Sequence, residues 1–454
     1  MSRRVVMKFG GTSVADADAV ERLVGIVRDA SKANGIPPVV VVSALAGVTD
    51  ALVDIARLAE DGNGAAAAGA IAGLLDRHVS VASAVTTGSR DAVIDSLRRE
   101  LAELSGLVHA LAVLREVSPR SRDAVLATGE VLSSAIVAAA LSDRGMPTTA
   151  VDARRVLVTD AEHTSAAPEM IETCERCRER IAPVLAQGRV PVLGGFIGAT
   201  SNGVTTTLGR GGSDYSAAIF GACLGVDEIQ IWTDVDGMLT ADPRIVAGPR
   251  VVPQLSFAEA SELAYFGAKV LHPSTILPAV AKNIAVRILN SRRPQNAGTL
   301  IAADTRPDGA LTAIACKRDV TVVDITSTRM LMAHGFLRRL FEVFERFKTA
   351  VDVVTTSEVS VSVTVDDTRR LDGVVDNLRH FAEVACEPEM AIVCAVGENL
   401  RSDATLFGRA ITALDRIPLR LVSQAASRRN ITFVLRNADV PAAMTRLHET
   451  FFSI

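Results

Sequence analysis

Aromatic residues make up only 4% of this 454-residue chain, with one tryptophan and two tyrosines among them. Charge of one sign is lacking too, since 48 Lys and Arg face 52 Asp and Glu. Without a basic field or stacking surfaces, nucleic acid is not expected as a partner. No run of about 18 apolar residues stands out as a membrane span, and the small-residue stretch from Gly62 to Leu75 reads as a helix or loop. The opening MSRRVVMKFGG is interrupted by Lys8 too early for a signal segment. A soluble, cytoplasmic protein is expected. The six cysteines, at 174, 177, 223, 316, 386 and 394, have no framework spacing and read as reduced thiols. Cys174 and Cys177 read as two cysteines on one helix rather than a zinc or redox pair. Neither G-x-x-x-x-G-K-[ST] nor a G-x-G-x-x-G after a strand occurs, which excludes a Walker loop and argues against a dinucleotide site.

What is present is length for two or three domains and 48% hydrophobic residues to build their cores. Up to about Ile301, short β-branched runs alternate with amphipathic stretches, the pattern of βαβ units in a mainly parallel sheet. Strands are predicted at 5–9, 39–43, 148–152, 190–196, 228–232 and 285–289. Helices are predicted at 18–33, where Val20, Leu23, Val24 and Val27 share one face, and at 125–141. The turn-rich run from Thr305 to Ala310 marks a boundary. Beyond it a βαββα pattern of about 70 residues occurs twice, as in small ferredoxin-like α+β sandwiches. The expected domains are 1–304, 313–386 and 387–454, with an interleaved order of the two copies left open.

Four segments combine charge with glycine at strand ends. Lys8-Phe9-Gly10-Gly11-Thr12-Ser13 follows the first strand, and its glycines, helix start and lysine suit a phosphate. Thr205 to Ser216 includes Gly-Arg210-Gly-Gly-Ser-Asp214, where Arg210 offers a planar fork for a carboxylate. Trp232-Thr233-Asp234-Val-Asp236-Gly237 leads to Ala241-Asp-Pro-Arg244, and Phe266-Gly-Ala-Lys269-Val270-Leu-His272-Pro is the fourth. Their joint presence at the carboxyl edge of a parallel sheet points to one ligand site.

Together these motifs resemble the aspartokinases of the amino-acid kinase family over essentially the whole chain, the repeat resembling their tandem ACT regulatory modules. The resemblance implies an αβα sandwich with C-terminal ACT modules, and ATP-dependent phosphorylation of the L-aspartate side-chain carboxylate to 4-phospho-L-aspartate, the step toward lysine, threonine and methionine. It implies catalytic roles for Lys8 and Asp214. Thr49, Glu130 and Arg210 would hold aspartate. Lys8, Gly10, Gly11, Ser13, Ser43, Thr233, Asp234, Arg244, Lys269 and Val270 would hold nucleotide. Mg²⁺ would ride on the phosphates with no protein ligand assigned. An effector, lysine by resemblance, would meet Met330, Phe336, Leu337, Val351, Asp352, Ser357 and Glu358, although Ala333 and Ala350 stand where lysine-sensitive relatives carry serines. A homodimer or homotetramer through the ACT modules is expected, and no fused dehydrogenase.

Overall fold

The computed structural model describes residues 3–267, 271, 273–303, 305, 311–330, 334–398, 400–424 and 427–452. The chain forms two compact units, the first from 1–238 with 270–305, the second from 239–269 with 306–454.

The first unit contributes seven strands to its main sheet, in the order Thr148–Ala150, Val190–Gly194, Val39–Val42, Val5–Phe9, Glu228–Thr233, Ala285–Asn290 and Thr299–Ala302. All neighbours are parallel except the last pair, which is antiparallel. Strand Val39–Val42 is four buried valines, as a strand covered on both faces requires. Strand Val5–Phe9 lies between Val39–Val42 and Glu228–Thr233, with Lys8 opposite Val41 and Ile231. The chain passes from that central strand to Val39–Val42 on one side and later lays Glu228–Thr233 on the other, a reversal of strand order that opens a crevice at the carboxyl ends. A second sheet joins Val158–Thr159, Ile197–Thr200 and Thr205–Thr207.

The helices start where their caps dictate. Asp16 accepts the Ala19 N–H at the head of Ala17–Asn34, and left-handed Gly35 ends that helix. Ser118 caps Pro119–Asp143, with proline in its first turn. The Gly62–Leu75 region falls in helix Gly64–Val85. Contrary to the sequence reading, one helix, Pro119–Asp143, does have the length and apolarity of a span; 72% of its most apolar window is buried inside the protein, so its hydropathy reflects the core it packs into.

The cysteine reading also needs correction. Cys174 and Cys223 form a disulfide, while Cys177, Cys316, Cys386 and Cys394 are free. The bonded residues are 49 apart in sequence and meet because helix Met170–Arg180 packs beside Gly212–Leu224, a proximity that spacing alone does not encode.

The second unit holds a six-stranded antiparallel sheet, ordered Val354–Thr356, Ser360–Val365, Ala313–Thr326, Glu383–Val396, Asn430–Arg436, Leu421–Ser423. Its two central strands are 14 residues each, longer than predicted, and their register slips between Lys317 and Val322. Ala313–Lys317 pairs with Ile392–Val396 in the half of the sheet that carries the second copy's core, which includes Ile314, Val393 and Leu447. Past the slip, Val322–Thr326 pairs with residues 383–387 and joins the first copy's core of Val323, Leu340 and Val374. Residues 313–317, counted with the first copy in the sequence, thus pair within the second copy's half of the sheet.

Candidate active site

A cavity of about 590 Å³ opens at the carboxyl end of strand Val5–Phe9. Lys8, Gly11, Ser43, Thr49, Glu130, Arg210 and Asp214 all line it, so residues spread over two hundred positions converge. Lys8 is 8% exposed, and its ammonium pairs with the Asp214 carboxylate at 2.7 Å. Asp214 sits in the first turn of helix Gly212–Leu224. That helix and Val48–Glu60, which carries Thr49, turn their N-terminal residues to the cavity, and no side chain caps either. Free N–H groups there favour anions.

Arg210 stands between Gly209 and Gly211, both left-handed at φ +74° and +71°. Two such residues in succession around an arginine let the turn reverse tightly without a Cβ clash, and Arg210 is left exposed on the cavity wall.

Glu130 is 3% exposed. Its Oε1 accepts the Ala44 N–H at 3.2 Å, and its Oε2 is buried with no partner. The neighbouring Gly129 makes this approach possible, since a Cβ there would lie 2.8 Å from that of Ala44. Burial pushes the Glu130 carboxyl up to about 8, against the pull of the Ala44 N–H and the Lys8 charge. A buried acid with one idle oxygen is a receptor for a cation.

Gly10, Ser13, Thr233 and Asp234 are not among the residues that line this cavity. Ser13 is buried, and its hydroxyl reaches Ser291 at 2.8 Å. Ser291 in turn donates to the Thr233 carbonyl from N–H (2.8 Å) and Oγ (3.1 Å), and Thr233 Oγ1 donates to Asp234 at 3.2 Å. Gly10 is held by its N–H on the Trp232 carbonyl at 3.0 Å. Arg244 belongs to the second unit, where it forks onto Asp242. Lys269, Val270, His272 and Ala333 lie outside the described residues.

Sequence reasoning passed over Ser291, Thr164, Phe196 and Thr207. The last lies in the quoted Thr205-Thr-Thr run, and it lines the cavity with Thr164 and Phe196. Among the described residues no three His, Cys, Asp or Glu side chains gather as a metal set.

In the second unit, Met330, Phe336 and Val351 pack on the first copy's core, and Leu337 is 40% exposed. Ser357 Oγ meets Ser360 Oγ at 2.7 Å, and Glu358 is exposed. Asp352 has a 2% exposed side chain engaged at one oxygen: Tyr265 donates to Oδ1 at 2.6 Å and the Lys317 ammonium sits 2.8 Å from it, while Oδ2 is buried with no partner among the described residues. Lys317 also pairs with Asp366 at 2.7 Å and lies 5.0 Å over the Tyr265 ring. Burial works against its charge, yet Asp352 and Asp366 hold it above the usual lysine range.

The amino acid kinase family profile matches residues 3–290, and an ACT domain profile matches 393–451. The chain is 34% identical over 460 residues to the lysine-sensitive aspartokinase 3 of Escherichia coli, covering all of both proteins. It is 36% identical over 470 residues to the chloroplastic aspartokinase 3 of Arabidopsis thaliana, covering 98% of this chain and 81% of that one. Its structure is similar to E. coli aspartokinase III in complex with aspartate and ADP, an R-state, with a TM-score of 0.84 at 33% identity, 99% of this chain and 100% of that one. The T-state complex of the same enzyme with lysine and aspartate gives a TM-score of 0.81, also at 33% identity, over 99% of both chains.

Proposed function

This chain belongs to the aspartokinases, and we propose that the cavity at Lys8 is where it performs the family reaction, ATP-dependent transfer of a phosphoryl group to the side-chain carboxylate of L-aspartate. The observation that carries the assignment is the charge pattern of one wall: Glu130 with an idle buried oxygen, and Arg210 exposed on the same cavity. An α-amino acid brings one ammonium and one α-carboxylate to such a pair. The second carboxylate is then left for Lys8 and the uncapped helix starts. Thr49, at one of those starts, donates its hydroxyl to the substrate.

The nucleophile needs no general base, because an aspartate side chain with a pKa of ~3.9 is ionised at neutral pH. The protein's task is to align two anions and offset their repulsion. Lys8 neutralises the phosphoryl group in transit, and Asp214 holds the Lys8 ammonium in place. Gly10, Gly11, Ser13, Ser43, Thr233 and Asp234 form the adjoining floor for the nucleotide, and the family resemblance adds nucleotide roles for Arg244, Lys269 and Val270. Mg²⁺, which supplies charge neutralisation, would arrive on the nucleotide's phosphates, where water and phosphate oxygens meet its octahedral demand.

For regulation we take lysine as the effector and the segment from Met330 to Glu358 as its site, on the strength of the lysine-sensitive relative. The half-exposed apolar side chains Leu337, Phe341, Val354 and Val359 supply the surface for a homodimer or homotetramer through the ACT modules. The enzyme is read as cytoplasmic.

A hydroxamate assay that traps the acyl phosphate tests the reaction. Product is expected with ATP, Mg²⁺ and L-aspartate and not with L-glutamate. Nucleotide binding without aspartate-dependent hydroxamate would overturn the assignment. Light scattering at micromolar concentration should show no monomer.

A further inference from the structure

Asp123 lies two turns before Glu130 on helix Pro119–Asp143 and is fully buried, yet no step of the reaction uses it. Its carboxylate accepts four hydrogen bonds. Thr207 Oγ1 donates at 2.6 Å, His163 Nδ1 at 2.7 Å, and the Thr164 N–H reaches both oxygens at 3.1 Å. A carboxylate only accepts, so each of these groups has its proton committed to Asp123.

Two of the three donors line the substrate cavity. Thr164 stands at φ +73°, a left-handed conformation costly for a β-branched residue and maintained only where its surroundings hold it. The Asp123 contact to its N–H is such a hold. The Thr164 carbonyl lies against Gly209, where a Cβ would come within 3.2 Å, and Gly209 begins the turn that presents Arg210. Thr207 is 1% exposed. With its single proton on Asp123, its oxygen keeps only lone pairs for the cavity, on the wall that also carries Glu130. The loop closes on itself through the Ala166 N–H on the Thr207 carbonyl at 2.9 Å.

We propose that Asp123 is a positioning residue for the amino-acid substrate: by holding Thr207 as an acceptor and Thr164 in its left-handed turn, it fixes the wall that faces the substrate ammonium and the seat of Arg210. The proposal rests on the aspartate reading of the cavity. It is specific to amino-acid binding, because the hydrogen bonds to Asp123 come from His163, Thr164 and Thr207 and not from Lys8 or the nucleotide floor.

Asp123→Asn keeps shape but replaces one acceptor oxygen with a donor, so Thr207 and the Thr164 N–H share a single neutral oxygen and His163 Nδ1 faces an N–H in place of a carboxylate. The expected result is an aspartate KM raised about tenfold or more, with kcat within threefold, ATP KM within twofold and an unchanged far-UV CD spectrum. Thr207→Val should reproduce the KM defect, and Thr207→Ser, which retains the hydroxyl, should remove most of it. An aspartate KM within twofold of wild type for Asp123→Asn overturns the proposal, and so does an equal loss in kcat and in ATP KM, the mark of a merely structural role. If Asp123→Asn does not fold, the Thr207 pair decides the question alone. A wild-type enzyme inactive on aspartate defeats the substrate reading instead, which keeps the two failures apart.

Discussion

Two buried carboxylates, one in each unit, meet opposite fates. Glu130 keeps one oxygen without a partner and is pushed up to about 8 by burial. Asp352, equally withdrawn from water, also keeps one oxygen, Oδ2, without a partner, but its Oδ1 takes both the Lys317 ammonium and the Tyr265 hydroxyl, so its charge is offset from within. Both are acids that a free amino acid's ammonium could seek. The first has no ion-pair partner among the described residues and, on the proposed reading, waits for the substrate's ammonium; the second already has a cation of its own chain, with one oxygen still idle. Desolvated charge is costly unless paired, so the difference sets how strongly each acid recruits a ligand. On the proposed roles, Glu130 should bind an ammonium avidly once ionised, whereas an ammonium at Asp352 must share the carboxylate with Lys317 or displace it.

The comparison is broken most severely by removing the cation beside the catalytic acid. Lys8→Ala should lower kcat more than 100-fold, about 2.7 kcal/mol of transition-state stabilisation, with little change in aspartate KM. A kcat within threefold of wild type in steady-state assays would refute the role given to Lys8. Next comes Glu130→Gln, which keeps the volume but discards the charge that receives the ammonium. A fall in kcat/KM for aspartate of roughly 30- to 100-fold is expected. In the wild type, kcat/KM should climb by about tenfold per pH unit up to about 8, because Glu130 must ionise before it can pair. The Gln variant should lose that limb of the pH profile. Stability follows the same group with its own sign. An acid raised above its unfolded value of ~4.3 adds stability that is complete below that value and is lost as pH rises toward 8. The wild-type melting temperature should therefore fall between pH 5 and 8 more steeply than that of Glu130→Gln. Parallel curves in scanning calorimetry would show that Glu130 is not the buried titrating group.

Legibility in the sequence follows the same divide. Lys8, Glu130, Arg210 and Asp214 could be named because each sits in a short motif at a strand end or helix start, where local chain geometry and ligand chemistry act on the same few residues. The strands of the first unit were equally readable, since buried parallel strands are nearly pure Val and Ile runs. What could not be read depends on packing between distant segments. Cys174 meets Cys223 only through two packed helices. Thr164, Asp123 and Thr207 converge from three elements with no shared motif. Asp352 was read as a free receptor for an effector, and nothing in its neighbourhood of sequence announces that Lys317, 35 residues earlier, reaches it. Arg244 was grouped with the nucleotide residues by motif, and the chain carries it within the second unit.

The mildest test sharpens the comparison by emptying the regulatory acid. Lys317→Met keeps most of the aliphatic stem and removes the ammonium, leaving Asp352 buried and in want of a cation. In the wild type an effector ammonium that meets the idle Asp352 Oδ2 must share the carboxylate with Lys317 or displace it onto Asp366, whose side chain is 39% exposed and already pairs with it. The displacement is therefore a modest cost, and its removal should tighten lysine binding about tenfold, near 1.4 kcal/mol. Titrating lysine into the activity assay should show the half-inhibitory concentration falling by that factor, with calorimetric binding moving in step. Tyr265 continues to cover Asp352 in the variant, which limits the gain to one decade instead of the several that a naked buried charge would bring. A half-inhibitory concentration that stays put or rises would mean that Lys317 forms part of the effector's seat rather than occupying it, and the two acids would then be more alike than their partners suggest.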